Sequence, residues 1–248
     1  MATFVLVPGA WLGGWAWRRV ARPLRGAGHE VYPVTLTGLA ERVHLGGPGV
    51  SLETHVTDIV NLFEYEDLRD AVLVGHSYGG VPVCAAADRL ADRLAAVVYL
   101  AGGPLADGTG MLDLMPPTGA AALRRSVEEH GGGWQMPVPS WGEPAAGDAN
   151  LDGLSAEDLA LLRARAVPHP FGTYTGRVWL TGAAAALPQH LVTCDFPLAT
   201  VKEMVAAGHP FFAGMTGPGW TEHELLTSHW PMLSRPGDTA ALLAEIAG

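Results

Sequence analysis

Lysine is almost missing from this chain: Lys202 is the only one in 248 residues, so chemistry that needs an amine beside the reacting centre has a single residue to draw on. Cysteine is nearly as scarce. The two present, Cys84 and Cys194, sit inside apolar stretches, which excludes a disulfide scaffold and points to buried, reduced thiols in a cytoplasmic protein. Positive charge is also short, with 15 basic against 25 acidic residues and a net charge of -10. No basic patch is available to attract phosphate, so nucleic acid and anionic membranes are excluded as partners. No apolar run approaches the ~20 residues of a membrane helix. The opening "MATFVLVPG" breaks on Pro8, which reads as a strand rather than a secretory leader. Internal repeats and low-complexity tails are absent too.

What is present is a hydrophobic content of 48%, enough for a sizeable core in one globular unit. Apolar runs at residues 3–7, 29–36, 70–74 and 95–102 alternate with segments of helical spacing, among them 51–68, opened by Ser51 with Thr54 three residues later. This βαβαβαβ order predicts an α/β fold with an open, mostly parallel sheet covered on both faces, its site beyond the carboxyl ends of the strands. From residue 104 to 188 the texture changes to Gly, Pro and Ala with two predicted helices and long joins. Its Met111, Leu114, Trp134, Met136, Trp141, Phe171 and Tyr174 suggest an ordered lid. The sheet then resumes at 189–195, and a helix closes the chain. The expected organisation is a core of 1–103 and 189–248 with a cap insertion at 104–188.

The run "VLVGHSYGG" at residues 72–80 ends a buried strand on small residues enclosing one hydroxyl. A strand turning directly into a helix forces the corner residue into a strained conformation, and positions two away must lack bulk for the turn to close. The pattern Gly75-His76-Ser77-Tyr78-Gly79 therefore lifts Ser77 clear of the sheet and makes it a candidate nucleophile.

A serine hydroxyl needs a base, and the base needs an orienting acid. Ten histidines are available. His76 lies beside the serine and points away from it, His29 opens a strand, and His55 lies on a helix. His44, His130, His169, His190, His209 and His223 fall in loops or near element ends, where surface or structural roles suffice. His229 follows the last strand and stands downstream of serine and acid, in the chain order this architecture demands. Asp195, at the end of the strand "HLVTC", is the favoured acid, with Asp107 and Asp113 as rivals. A carbonyl attacked by Ser77 would need two preorganised donors for its oxyanion. The backbone N–H of Tyr78 is one. The N–H of Ala10, in the loop "PGAWLGGW" where Gly9 permits close approach, is the other.

In combination, "VLVPGAWLGGWAW", "TLTGLAERVHL", "LVGHSYGG" and "SHWPMLSRP" resemble the α/β-hydrolase fold, and within it the plant methyl-ester esterases, the hydroxynitrile lyases and their bacterial relatives. The resemblance covers most of the chain in order. It implies Ser77 as nucleophile, His229 as general base, Ala10 and Tyr78 as oxyanion donors, and a cap in the insertion. Two departures stand out: Pro8-Gly9 replaces the His-Gly usual after the first strand of such esterases, and Asp195 follows Cys194 at once. The lyases hold cyanide with a lysine near the catalytic histidine, whereas Trp230 follows His229 here; dehalogenases carry a carboxylate where Ser77 stands.

The expected activity is serine-type hydrolysis of a small to medium apolar carboxylic ester through an acyl-enzyme, with Trp11, Trp134, Met136, Phe171 and Trp230 as candidate substrate contacts. No metal or other cofactor is implied, and the partner is a small-molecule ester or related carbonyl compound, with a homodimer left open. The alternatives are a lactonase, a cyclase or lyase using the same histidine for acid/base work, and a ligand receptor with a vestigial triad.

Overall fold

The computed structural model describes residues 1–141, 150–209, 212, 214–217 and 219–248. Six strands form the central sheet, and all its pairings are parallel. In chain order these begin with β1 (Thr3–Val7), followed by helix α1 (Arg18–Gly26), β2 (Glu30–Pro33), α2 (Leu52–Tyr65), β3 (Ala71–His76), α3 (Gly80–Arg89) and β4 (Leu94–Leu100). Next come α4 (Pro117–His130), β5 (Gln135–Met136), α5 (Ala156–Arg165), β6 (His169–Pro170) and α6 (Gly172–Thr175). The chain ends with β7 (Gln189–Thr193), α7 (Leu198–Ala206), β8 (Trp220–Glu224), α8 (Pro231–Ser234) and α9 (Pro236–Ile246).

Sheet order is β2-β1-β3-β4-β7-β8, so everything between residues 101 and 188 is inserted between two neighbouring strands. Within that stretch β5 and β6 form a separate antiparallel pair, with Met136 opposite His169. The cap expected at 104–188 includes residues 142–149, which lie outside the described residues.

The strands alternate between two hydrophobic layers because successive side chains point to opposite faces and both faces are covered. Val5, Val7, Leu73 and Val97 pack with Val56, Ile59 and Phe63 of α2. Phe4, Leu6, Val72, Val74 and Val98 pack with Val20 and Leu24 of α1 and Leu243 of α9. Helix α2 starts as expected: Ser51 Oγ accepts from Thr54 N–H and Thr54 Oγ1 accepts from Ser51 N–H, a reciprocal cap.

Several element boundaries differ from the sequence expectation, two of them for reasons visible in the contacts. Strand β3 does not stop at residue 74: Gly75 pairs with Val7 and Tyr99, and His76 with Leu100, so the ladder runs to the residue before Ser77. Strand β2 stops at Pro33 rather than running to residue 36. Beyond it, Thr35 Oγ1 accepts from Gly14 N–H at 2.8 Å and Thr37 N–H donates to Asp58 of α2 at 2.7 Å, tying the segment to partners outside the sheet. Cys84 and Cys194 are free and buried, and burial pushes the Cys84 thiol up to about 11. No described helix is long and apolar enough to cross a membrane.

Candidate active site

The carboxyl ends of β1, β3, β4, β7 and β8 deliver the residues of the site. At the end of β3, Ser77 has φ 51°, a left-handed conformation that costs a non-glycine residue about 1–3 kcal/mol unless its surroundings enforce it. Close packing enforces it here. A side chain at Gly75 would approach the Gly79 carbonyl to 2.8 Å, and one at Gly79 would approach the Pro8 carbonyl to 2.7 Å. The elbow closes because these two positions carry no Cβ, as the spacing in the sequence predicts.

Ser77 Oγ lies 2.8 Å from His229 Nε2, and His229 Nδ1 lies 2.6 Å from Asp195 Oδ2. The second oxygen of Asp195 is buried and makes no hydrogen bond among the described residues, which leaves the imidazole as its partner. His229 is fixed from behind as well: its N–H donates to the Asn150 carbonyl at 2.7 Å, and its ring meets the Trp230 ring edge-to-face at 5.1 Å. The rival acids are engaged elsewhere. Asp107 accepts from Leu180 N–H at 2.8 Å, and Asp113 pairs with Arg177 at 3.0 Å and caps Gly110 N–H. Lys202, the lone lysine, pairs with Glu222 at 2.6 Å.

Tyr78 follows Ser77 in the first helical turn, where N–H groups lack intrahelical partners. The Ala10 N–H makes no hydrogen bond among the described residues. Its neighbours do: Gly9 N–H donates to His76 Nδ1 at 3.2 Å and Trp11 N–H to His169 Nδ1 at 3.3 Å. Gly9 allows this approach, since a Cβ there would lie 2.8 Å from His76 Nδ1.

Two cavities flank the Ser77–His229 pair. One of about 70 Å³ is bounded by Ser77, Val81, Leu105, Met111, Leu114 and Met215. Another of about 100 Å³ is bounded by Leu191, Val201, Phe196, Phe212, Met215 and His229. Met215, 3% exposed, borders both. The substrate-contact candidates fall outside the walls of these two cavities. Met136 is buried in the core, while Trp134 accepts the Phe171 N–H at 2.8 Å and Phe171 lies under the Arg124 guanidinium. Trp230 backs His229, and Trp141 meets Trp230 at 5.0 Å and Trp11 at 6.1 Å.

Sequence reasoning passed over three histidines. His55, His76 and His169 are all fully buried. Burial lowers His55 to about 4, and burial together with the nearby His229 lowers His76 to about 3. Burial also holds His169 well below the ordinary range, with His55 adding to it. Their role depends on what three distant segments bring to them, and the only local signal was the apolar company of His55 on its helix face. Among the described residues no cluster of three or more His, Cys, Asp or Glu side chains is arranged to hold a metal ion.

The sequence pattern of the alpha/beta hydrolase family matches residues 4–242. A carbendazim hydrolyzing esterase of Nocardioides sp. (strain SG-4G) is 34% identical, covering 99% of this chain and 100% of the relative. A putative chloroplastic methylesterase 14 of Arabidopsis thaliana is 25% identical, with 98% of this chain and 71% of the relative covered. Among solved structures, an extracellular alpha/beta-hydrolase from a Paenibacillus species superposes with a TM-score of 0.80. That match spans 99% of this chain and 98% of the other at 22% identity, a likeness of fold.

Proposed function

Since this chain belongs to the alpha/beta hydrolase family as an esterase-type member, we propose that it cleaves carboxylic esters through Ser77, His229 and Asp195. The observation that carries this reading is the continuous contact from Ser77 Oγ through His229 to Asp195, at 2.8 and 2.6 Å. His229 Nε2 takes the Ser77 proton as Oγ attacks the ester carbonyl, and the carbonyl oxygen becomes an oxyanion held by the N–H groups of Ala10 and Tyr78. Collapse of this intermediate expels the alcohol, which receives the proton from His229 Nε2, and leaves an acyl group on Ser77. Water, deprotonated by the same imidazole, then releases the acid. Asp195 holds Nδ1 protonated and stabilises the imidazolium in both halves of the cycle.

The apolar walls of the two small cavities support a small to medium apolar substrate. Residues 104–188 serve as the cap. Three contacts favour this: Asn150 holds the His229 N–H, His169 holds the Trp11 N–H, and Trp141 packs on both Trp11 and Trp230. Against the lyase alternative, the one lysine is engaged with Glu222.

A fluorophosphonate probe and p-nitrophenyl acetate test the reading in wild type and Ser77→Ala. Covalent labelling and turnover should both disappear in the variant. Retained turnover would transfer the chemistry to His229 acting alone, and binding without turnover in the wild type would make the protein a receptor. Carbendazim, on which the Nocardioides relative is named as acting, belongs in the substrate panel.

A further inference from the structure

Three successive amides, of Gly9, Ala10 and Trp11, lie in the loop after β1, and only the middle one is left without an acceptor among the described residues. The outer two are taken by histidines from distant parts of the chain. We propose that His76 and His169 are positioning residues: by accepting the N–H groups on either side of Ala10, they aim the Ala10 N–H at the substrate oxyanion, while His55 fixes the ring of Tyr78, whose N–H is the partner donor. This rests on the reading of Ala10 and Tyr78 as the oxyanion donors.

Hydrogen-bond logic fixes the tautomer of all three rings, because a carbonyl can only accept. His76 Nε2 faces the His229 carbonyl at 2.7 Å, so it carries the proton and Nδ1 is free to accept from Gly9. His55 Nε2 faces the Thr37 carbonyl at 2.9 Å, so its Nδ1 accepts from the Tyr78 hydroxyl at 2.8 Å. Thr173 Oγ1 donates to the Pro170 carbonyl at 2.8 Å and therefore accepts from His169 Nε2 at 2.9 Å, leaving Nδ1 for the Trp11 N–H. Each ring thus donates at Nε2 and accepts at Nδ1. An imidazolium could do none of the three Nδ1 tasks, and burial keeps these rings neutral.

His169 has the further property of arriving from the inserted segment. Its ring meets that of Tyr78 edge-on at 4.6 Å, and Tyr78 in turn stacks on Tyr174 of α6 at 5.3 Å. One side chain of the insertion therefore contacts both oxyanion-donor residues' neighbourhoods: the loop bearing Ala10 through Trp11, and the elbow through the Tyr78 ring. Trp11 has φ 65°, a conformation that an unconstrained tryptophan leaves readily, and the bond to His169 is what ties its N–H down. Without it the turn keeps the Leu12 N–H on the Gly9 carbonyl and the Val167 N–H on the Trp11 carbonyl, but the Trp11 amide is released and the Ala10 N–H can tilt away from the substrate carbonyl.

The test compares His169→Leu, which removes the acceptor, with His169→Asn, whose amide oxygen can occupy the place of Nδ1. Thr173→Val, nearly isosteric, removes the acceptor that fixes the tautomer and serves should His169→Leu not fold. Active sites are counted with the fluorophosphonate probe. In His169→Leu, kcat on p-nitrophenyl acetate should fall about 10- to 100-fold with KM changed less than about 2-fold. Binding of a trifluoromethyl ketone, which forms an oxyanion adduct on Ser77, should weaken by the same factor, whereas the matching methyl ketone should not. Asn should restore most of kcat, and Thr173→Val should lower it about 10-fold. Wild-type kcat in folded His169→Leu or Thr173→Val, or equal weakening of both ketones, overturns the inference. The hydrolase reading fails separately: Ser77→Ala would then retain turnover.

Discussion

His76 donates from Nε2 to the backbone carbonyl of His229 at 2.7 Å, so the residue before Ser77 supports the main chain of the histidine that Ser77 contacts. Because Nδ1 of the same ring accepts the Gly9 N–H, the two contacts together require a neutral ring, and it is fully buried. With His55 and His169 it makes the interior sensitive to acid.

Stability should therefore decline as pH falls below about 6.5. The unfolded chain binds a proton at each of these histidines near that pH, while the folded protein holds His55 to about 4 and His76 to about 3. The unfolded state then carries more protons throughout that window, and the loss levels off only below the folded values. Each such histidine costs about 1.4 kcal/mol per pH unit, or about 2 kcal/mol at pH 5. Urea melts at pH 7, 6 and 5 measure it, and a flat stability across that range would show these rings to be protonated or exposed.

Asp195→Asn should lower kcat about 10³- to 10⁴-fold, because an amide in that place favours the wrong imidazole tautomer. Asp107→Asn and Asp113→Asn, whose carboxylates are engaged with Leu180 and Arg177, should keep kcat within about 3-fold of wild type. Steady-state kinetics on one ester distinguish the three. Equal losses in all would remove Asp195 from its proposed role.

Gly79→Ala should destabilise the fold by about 1–3 kcal/mol and lower activity together with it. The new methyl would sit 2.7 Å from the Pro8 carbonyl, against backbone that cannot rotate away. A wild-type midpoint in urea would mean that the elbow is looser than its contacts indicate.

Met215→Ala should join the two cavities it borders, of about 70 and 100 Å³. The ratio of kcat/KM for p-nitrophenyl hexanoate over acetate should rise about 10-fold, the scale on which a few methylenes are discriminated in an apolar pocket. An unchanged ratio would place the acyl chain elsewhere.

The serine corner was legible in the sequence because its constraint is local. A strand that turns into a helix through one residue needs small neighbours at fixed spacing, and Gly75 and Gly79 announce it. His229 could be ranked by its place after the last strand, since strand ends follow one another in a parallel sheet. The choice of Asp195 over Asp107 and Asp113 was different, because all three follow strands and only distance separates them. The boundary of β3 is hidden for a related reason: Gly75 and His76 look like turn residues until the neighbouring strands that pair with them are in place.

From the sequence by itself came the alternating elements, the two-sided sheet, the nucleophile candidate and the order of its partners, all set by patterns a few residues long. The tertiary structure decided which carboxylate meets His229 and which histidines lie inside. His55, His76 and His169 are far apart in the chain, and nothing near any of them specifies that its Nδ1 will meet a donor held on a different element. A buried imidazole's protonation and tautomer belong to its surroundings, and those surroundings exist only once the chain has folded.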